Sequence, residues 1–397
     1  MRQRRHVIPV ALATTVLVSL VGLTACSSAS DGTSASAGAD QSGSYTIGAA
    51  LPLSGSSASL GQFFQRGVAT AVEEINASGG IGGKKLTVKY ADNQLQAAAS
   101  VTAMNQLIST DGAKAVVMTS SAGVTATAPI ATKTDTLLLN PGGEDPTLQK
   151  LSDNLISNIP SIKTEVDAML PYLKKKGIKK LAMYAEGDAL GATATDAVQQ
   201  EWEKLGGTFL GAQQEPTTVV DHSSVIAKLR SQKPDAVYIL AGGQQAGTFI
   251  KQARQQNLDA QFVGASTLQG GDIVELAGDA TEGILDSGIN QALADSNPQA
   301  VSYKKQFAKD YPGQDPTNLY SVFGHDSVLI YADAAKYLRD HKMDYTGSNL
   351  VKAIKKIKSF KVAGGTTVIN SDGSSTATIT LSKVTNGKFV PFTTVKP

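Results

Sequence analysis

Ala115-Val-Val-Met-Thr-Ser-Ser-Ala-Gly123 and, after a short helical segment, Leu137-Leu-Leu-Asn-Pro-Gly-Gly-Glu-Asp-Pro146 decide how this chain is read. Each opens on a short apolar run that stops at a small or polar turn. Uninterrupted apolar runs of this length suit strands buried on both faces, as in a parallel sheet covered by helices. In such sheets ligands bind just past the carboxyl ends of the strands. Thr119-Ser120-Ser121 and Asn140 to Glu144 are therefore expected to line one wall of a cleft. A hydroxyl-rich turn entering a helix offers free backbone N–H groups, which suit a carboxylate or another acceptor. The competing reading is that Ser120 and Ser121 simply cap a helix.

The same rhythm extends in both directions. Tyr45 to Leu51 reads as a first strand, followed by a helix from about Gly61 with Phe64, Val68, Ala71, Val72 and Ile75 on one face. Leu86 to Tyr90 is a second strand and Ala97 to Ile108 a second helix. After Pro160, strands at Leu181–Tyr184, Thr208–Ala212, Ala236–Leu240 and Gln261–Gly264 alternate with helical patterns at Lys163–Lys176, Ala192–Leu205, His222–Gln232 and Gln244–Gln256. Repeated strand–helix units imply two mainly parallel sheets flanked by helices, hence an α/β fold with two lobes. Ile284 to Gln291 is expected to return the chain to the first lobe. Helices follow at Ser302–Asp310, Leu319–Asp340 and Leu350–Lys358, then short strands from Gly364 to Pro397. The expected lobes are discontinuous: 45–160 with 290–380, and 161–289 with 381–397.

A chain of 397 residues is long enough for two cores, and a net charge of +2 with scattered charges gives no footprint for nucleic acid. One Cys, Cys26, excludes an internal disulfide and any Cys-rich metal site, and the four His are dispersed without ligand spacing. No cofactor is expected. Gly79 to Lys85 has the glycines of a phosphate loop but follows a helix and lacks Ser or Thr after Lys84, so it reads as a helix stop. No Gly-x-Ser-x-Gly elbow occurs, and no catalytic constellation marks an enzyme such as a secreted hydrolase.

Arg2, Arg4 and Arg5 precede a mostly apolar run, Val7 to Leu23, and Leu23-Thr24-Ala25-Cys26 follows. This is the layout of a secretory signal over residues 1–25. The run is at the short limit for a membrane span and contains Pro9. Leu-Thr-Ala-Cys resembles the lipobox of bacterial lipoproteins, which implies cleavage before Cys26 and lipid on that residue, and hence anchoring on the outer face of the cell membrane. Residues 26–44, rich in Ser, Ala, Gly and Asp, read as a flexible tether.

Several segments together resemble the type I periplasmic binding proteins, specifically the leucine–isoleucine–valine group that serves ABC importers. They are Ile47 to Gly55, Ala71 to Leu86 with its Gly-Gly-Ile, Lys251 to Leu258, Ala277 to Leu285 and Ile369 to Gly373. The resemblance covers nearly all of the body from Tyr45. It implies a receptor that closes around a small molecule and presents it to a membrane permease. It assigns ligand contact to Ser120 and Ser121, and further contacts to Gly142, Gly143 and Glu144. In the second lobe it points to Gln245, which stands where relatives carry an acid for the ligand ammonium; Asp188 is a candidate because it stands at a strand end facing the cleft. Leu60 and Leu190 occupy positions that are aromatic in relatives, and Tyr320 matches a contact position. Gln245 supplies no charge, so the ligand class stays open: an amino acid, an amide, a neutral polar molecule, or a cation held by Glu144. Each of these residues also has a plain structural reading. Tyr320 is then lobe packing, Asp188 a helix cap, and His325-Asp326 a structural pair. A ligand-sensing ectodomain that signals to a membrane partner is the alternative use of the same clamp.

Overall fold

The computed structural model describes residues 44–269, 273–289 and 293–395. Cys26, the apolar run before it and most of the tether lie outside these. The first sheet is built from β1 (Tyr45–Leu51), β2 (Leu86–Asp92), β3 (Ala115–Met118), β4 (Leu137–Asn140) and β5 (Leu155–Ser157), in the order β2-β1-β3-β4-β5. All its pairings are parallel. The connecting helices are α1 (Ala58–Ala77), α2 (Ala97–Ser109) and α3 (Ser121–Lys133). β1, β3 and β4 are buried throughout, whereas edge strand β2 is buried only in part. That difference is why the central strands are continuous apolar runs while the edge carries Lys89 and Tyr90.

Past Asn158 the chain crosses into the second half. It forms α4 (Ile162–Lys175), β6 (Lys180–Glu186), α5 (Ala189–Lys204), β7 (Thr208–Glu215), α6 (Ser223–Gln232), β8 (Ala236–Leu240), α7 (Gly243–Gln255), β9 (Gln261–Ala265), α8 (Ile273–Ala277) and β10 (Leu285–Ile289). It then returns to build α9 (Pro298–Asp310), α10 (Leu319–Asp340), α11 (Gly347–Ile357) and a small antiparallel sheet of β11 (Ser359–Val362), β12 (Gly365–Ile369) and β13 (Ser375–Thr376). A last crossing delivers β14 (Ile379–Thr385) and β15 (Lys388–Val395) to the second sheet, ordered β15-β14-β10-β9-β8-β6-β7.

Each sheet has a core on both faces. In the first, Ile47, Leu51 and Leu139 pack against Phe64 and Val68 of α1 and Val328 and Tyr331 of α10, while Val116, Met118 and Leu138 meet Met104, Leu107 and Val124 behind. In the second, Met183 and Tyr238 pack on Val166, Met169 and Trp202, and Tyr184 and Val237 on Ile226, Phe249 and Ile250. The α10 helix belongs to both halves. Most of its length seals the first core, yet Leu319 and Phe323 at its start lie in the second, and Tyr320 touches both. Asn158 binds this junction, its amide donating to the Phe323 carbonyl at 3.1 Å.

The structure departs from the sequence-based expectation in several places. The segment near 284–291 does not by itself bring the chain back to the first lobe. It is β10, parallel to β9 and antiparallel to β14 within the second sheet. Strand β5 and helix α8 had no signal, because three and five residues are too short for a period to show. α9 begins at Pro298 rather than Ser302: Asn297 caps it, its Oδ1 accepting from Gln299 N at 3.1 Å, and proline fits the first helical position.

Candidate functional site

On the first-lobe wall the expected turn is present, but most of its polar groups are engaged internally. Ser120 is extended and its Oγ accepts from Gly123 N at 3.1 Å, so this hydroxyl caps α3. Ser121 Oγ accepts from Asp145 N at 3.4 Å, joining the turn to the loop after β4. In that loop Asn140 Oδ1 accepts from Gly142 N at 3.2 Å and Gly143 N at 2.6 Å, while its amide donates to Gly143 O at 2.7 Å. The two glycines are there for close approach. A Cβ on Gly142 would sit 2.4 Å from Thr119 O, and one on Gly143 would sit 3.0 Å from Ser121 N. Their backbone N–H groups, at positions where the resemblance implies ligand contact, are thus committed to Asn140. Leu60 is half-buried against the first core, and the Tyr320 ring packs on Phe64 with centroids 5.1 Å apart.

On the second-lobe wall Asp188 is exposed and caps α5, its Oδ1 accepting from Gly191 N at 2.7 Å. With Leu190, Glu186, Gly242 and Thr267 it lines a small recess at the carboxyl ends of β6 and β8. Glu186 Oε1 accepts from Gly242 N at 2.9 Å, and burial pushes its carboxyl above the usual range. Gln245 is not among the residues of this recess. Its amide is buried and donates to the carbonyls of Glu215 and Pro216 at 3.3 and 3.1 Å, tying α7 to the end of β7. Through its amide nitrogen Gln245 is a strut, while its buried Oε1 has no hydrogen-bond partner.

The groups that meet between the lobes are others. Glu144 is 2% exposed. Its carbonyl accepts from Ile162 N at 2.9 Å, fastening the start of α4. Its carboxylate lies 3.5 Å from Ser266 Oγ, just beyond β9. Ser266 in turn donates through Oγ at 2.7 Å and through N at 2.6 Å to the carboxylate of Glu165, in the first turn of α4. Asp286 of β10, fully buried, accepts from the amide of Gln269. Glu144 Oε2 and Asp286 Oδ1 have no hydrogen-bond partner, while the Tyr238 hydroxyl lies beside Ser287. Among the described residues no Lys, Arg or His forms an ion pair with Glu144, Glu165 or Asp286. Burial raises the Glu144 carboxyl to about 8 against the pull of Ser266. Burial raises those of Glu165 and Asp286 well above their ordinary values, Glu165 further through the charge of Glu144. A second cross-lobe hydrogen bond runs from Thr193 Oγ1 to Asp145 Oδ2 at 3.3 Å.

Sequence reading singled out Glu144 and missed Glu165, Ser266, Asp286 and Tyr238. Asp286 had a usable signal, an acid inside a strand pattern. Ser266 had another, a hydroxyl at a strand's carboxyl end. Glu165 had none, because an acid in a first helical turn is ordinary.

Two helix-covered sheets, joined by three crossings and touching at their strand-end loops, define a hinged α/β clamp of the solute-binding type. Comparison with known proteins agrees. The family model described as periplasmic binding protein matches residues 44–388, and the chain belongs to that family. It is a binding protein and not an enzyme. It is 27% identical over 296 residues to the Leu/Ile/Val-binding protein homolog 2 of Brucella abortus, covering 73% of this chain and 78% of the relative. It is 26% identical over 326 residues to homolog 1 of Brucella suis, covering 80% and 84%. Among solved structures, the branched-chain amino acid transporter substrate-binding protein LivJ of Streptococcus pneumoniae, in complex with isoleucine, superposes with a TM-score of 0.80 at 23% identity, covering 89% of this chain and 100% of that one. A solute-binding protein of an ABC transporter from Rhodopseudomonas palustris, in complex with benzoate, gives 0.79 at 21%, covering 89% and 97%.

Proposed function

We propose that this protein is the extracytoplasmic, lipid-anchored substrate-binding component of an ABC importer. It captures a small polar solute between its lobes and hands it to the permease. The observation that carries this reading is the meeting of strand-end loops across the hinge, Glu144 with Ser266 and Asp145 with Thr193. The lobes are taken as 45–160 with 290–380 and 161–289 with 381–397, a division supported by the strand order of the two sheets. Solute docks near the Ser121 and Glu144 loops, and the wall carrying Asp188, Leu190 and Ser266 folds over it. Closure requires that solute bind the closed form better than the open one. Anchoring rests on Cys26 in Leu23-Thr24-Ala25-Cys26. The neighbouring proteins hold isoleucine and benzoate, so amino acids and aromatic acids belong in any first screen.

The test combines native mass spectrometry with metabolic labelling. The purified full chain is expected to carry one solute per molecule and release it chemically unchanged, and palmitate label is expected in the wild type and absent from Cys26→Ser. Conversion of the solute would refute the binding role, and label persisting in Cys26→Ser would refute the anchor.

A further inference from the structure

The lobe interface carries a chemical bias that narrows the solute. Three carboxylates converge there from three separate elements: Glu144 from the loop after β4, Glu165 from α4 and Asp286 from β10. All are buried, and no basic side chain among the described residues pairs with any of them. Ser266 has a single hydroxyl proton, and its short bond goes to Glu165 at 2.7 Å, leaving Glu144 a contact of 3.5 Å. Two oxygens of the cluster point to a missing occupant: Glu144 Oε2 and Asp286 Oδ1, both on buried side chains, have no hydrogen-bond partner. A buried polar group without a partner is unfavourable, and a buried unpaired carboxylate more so. Such groups persist where a ligand completes them. On the first-lobe wall three backbone donors are taken, Gly142 and Gly143 N–H by Asn140 and Gly123 N–H by Ser120, while the Thr119 hydroxyl has no partner.

The geometry points to an organic cation as the solute, with an ammonium or guanidinium group seated between Glu144, Glu165 and Asp286. This rests on the solute-binding reading above and specifies its chemistry. It also gives closure a driving force. Glu144 sits on one lobe and its two carboxylate neighbours on the other, so bringing them together empty drives them toward the neutral form, whereas a cation between them keeps them ionised and draws the clamp shut. Glu186 faces the neighbouring recess and adds the same sign, while Tyr320 and Tyr238 stay neutral at the seam.

The experiment is thermal shift and calorimetry on the full chain with matched pairs: isopentylamine against L-leucine, benzylamine against benzoate, and putrescine and L-arginine against urea. The cationic member of each pair is expected to stabilise the protein, and L-arginine or putrescine to bind with the highest affinity. Glu144→Gln and Asp286→Asn are each expected to weaken the best cation by about 100-fold. A purely structural role for these acids predicts unchanged affinity in both variants, which would overturn the inference. Stabilisation by benzoate with none by benzylamine would also overturn it, yet leave the protein a solute-binding clamp. Should no member bind, the solute extracted from the protein purified from its own host decides: one without a net positive charge refutes the inference, and no solute at all counts against both readings.

Discussion

His325 lies on α10 with both ring nitrogens engaged. Nδ1 meets Asp326 Oδ1 at 2.8 Å and Nε2 meets Glu74 Oε2 of α1 at 2.7 Å, and the ring is fully buried. Two carboxylate acceptors demand two N–H donors, so the imidazole is held as a cation. The acids are themselves anchored: Asp326 accepts from Ala363 N and Gly364 N at 3.0 Å each, and Glu74 from Ser302 Oγ at 2.6 Å. Burial works against the charge, but the bonds to Asp326 and Glu74 outweigh it and carry the ring from 6.5 to about 9. The sign follows. The group's folded value lies above its unfolded one, so its stabilisation is complete below about 6.5 and lost as pH rises through about 9. That span corresponds to on the order of 3 kcal/mol. Removing the cation also leaves two buried acids facing each other across the α1–α10 seam, a loss of about 3–5 kcal/mol for broken buried pairs. The assay is urea unfolding of wild type and His325→Gln at about pH 6 and about pH 10. The variant is expected to be less stable at the lower pH by several kcal/mol, with the gap shrinking by about 3 kcal/mol at the higher. A gap that stays constant across that range would show that the ring is not charged in the fold and would refute the reasoning.

Two further substitutions separate packing from recognition. Gly142→Ala forces a Cβ to 2.4 Å from Thr119 O, so the loop after β4 must move; a loss of about 1–3 kcal/mol is expected, and an unchanged melting curve would show that the loop yields freely. Gln245→Ala removes two amide bonds to the carbonyls of Glu215 and Pro216 and is expected to cost about 1–2 kcal/mol of stability while solute affinity in calorimetry stays within about twofold; a large loss of affinity would return Gln245 to the ligand site.

The architecture was legible because its signals are local. Buried parallel strands such as Ala115–Met118 and Ala236–Leu240 appear as apolar runs, and the helices between them keep one apolar face. Pairing order is a different kind of information. Leu285–Ile289 contains Asp286, Ser287 and Gly288, and only the neighbours β9 and β14 make a buried strand of it. The candidate site divides the same way. Ser120, Gly142 and Gly143 stand where a strand-end site was expected, and the close approach of two loops explains them without a ligand. Glu144 was visible on its own, but its partners come from residues far along the chain, and no spacing rule links positions 144, 165, 266 and 286.

A clamp lined only by apolar surface would close on itself without cargo, because burial of such surface is favourable whatever lies between. Here Glu144 Oε2 and Asp286 Oδ1 are buried with nothing to bond. Burial drives these carboxyls toward their neutral form, which costs free energy relative to a hydrated, ionised state. Turning a clamp from almost wholly open to almost wholly closed takes about 5.5 kcal/mol of differential affinity. Pairing the carboxylates alone supplies a difference of that size, and a solute that leaves them unpaired supplies none of it. The Leu319, Tyr320 and Phe323 end of α10 packs into both cores and links the two lobes. Selectivity and closure therefore reside in one cluster: the groups that make the empty closed form unfavourable are those that a cationic solute completes.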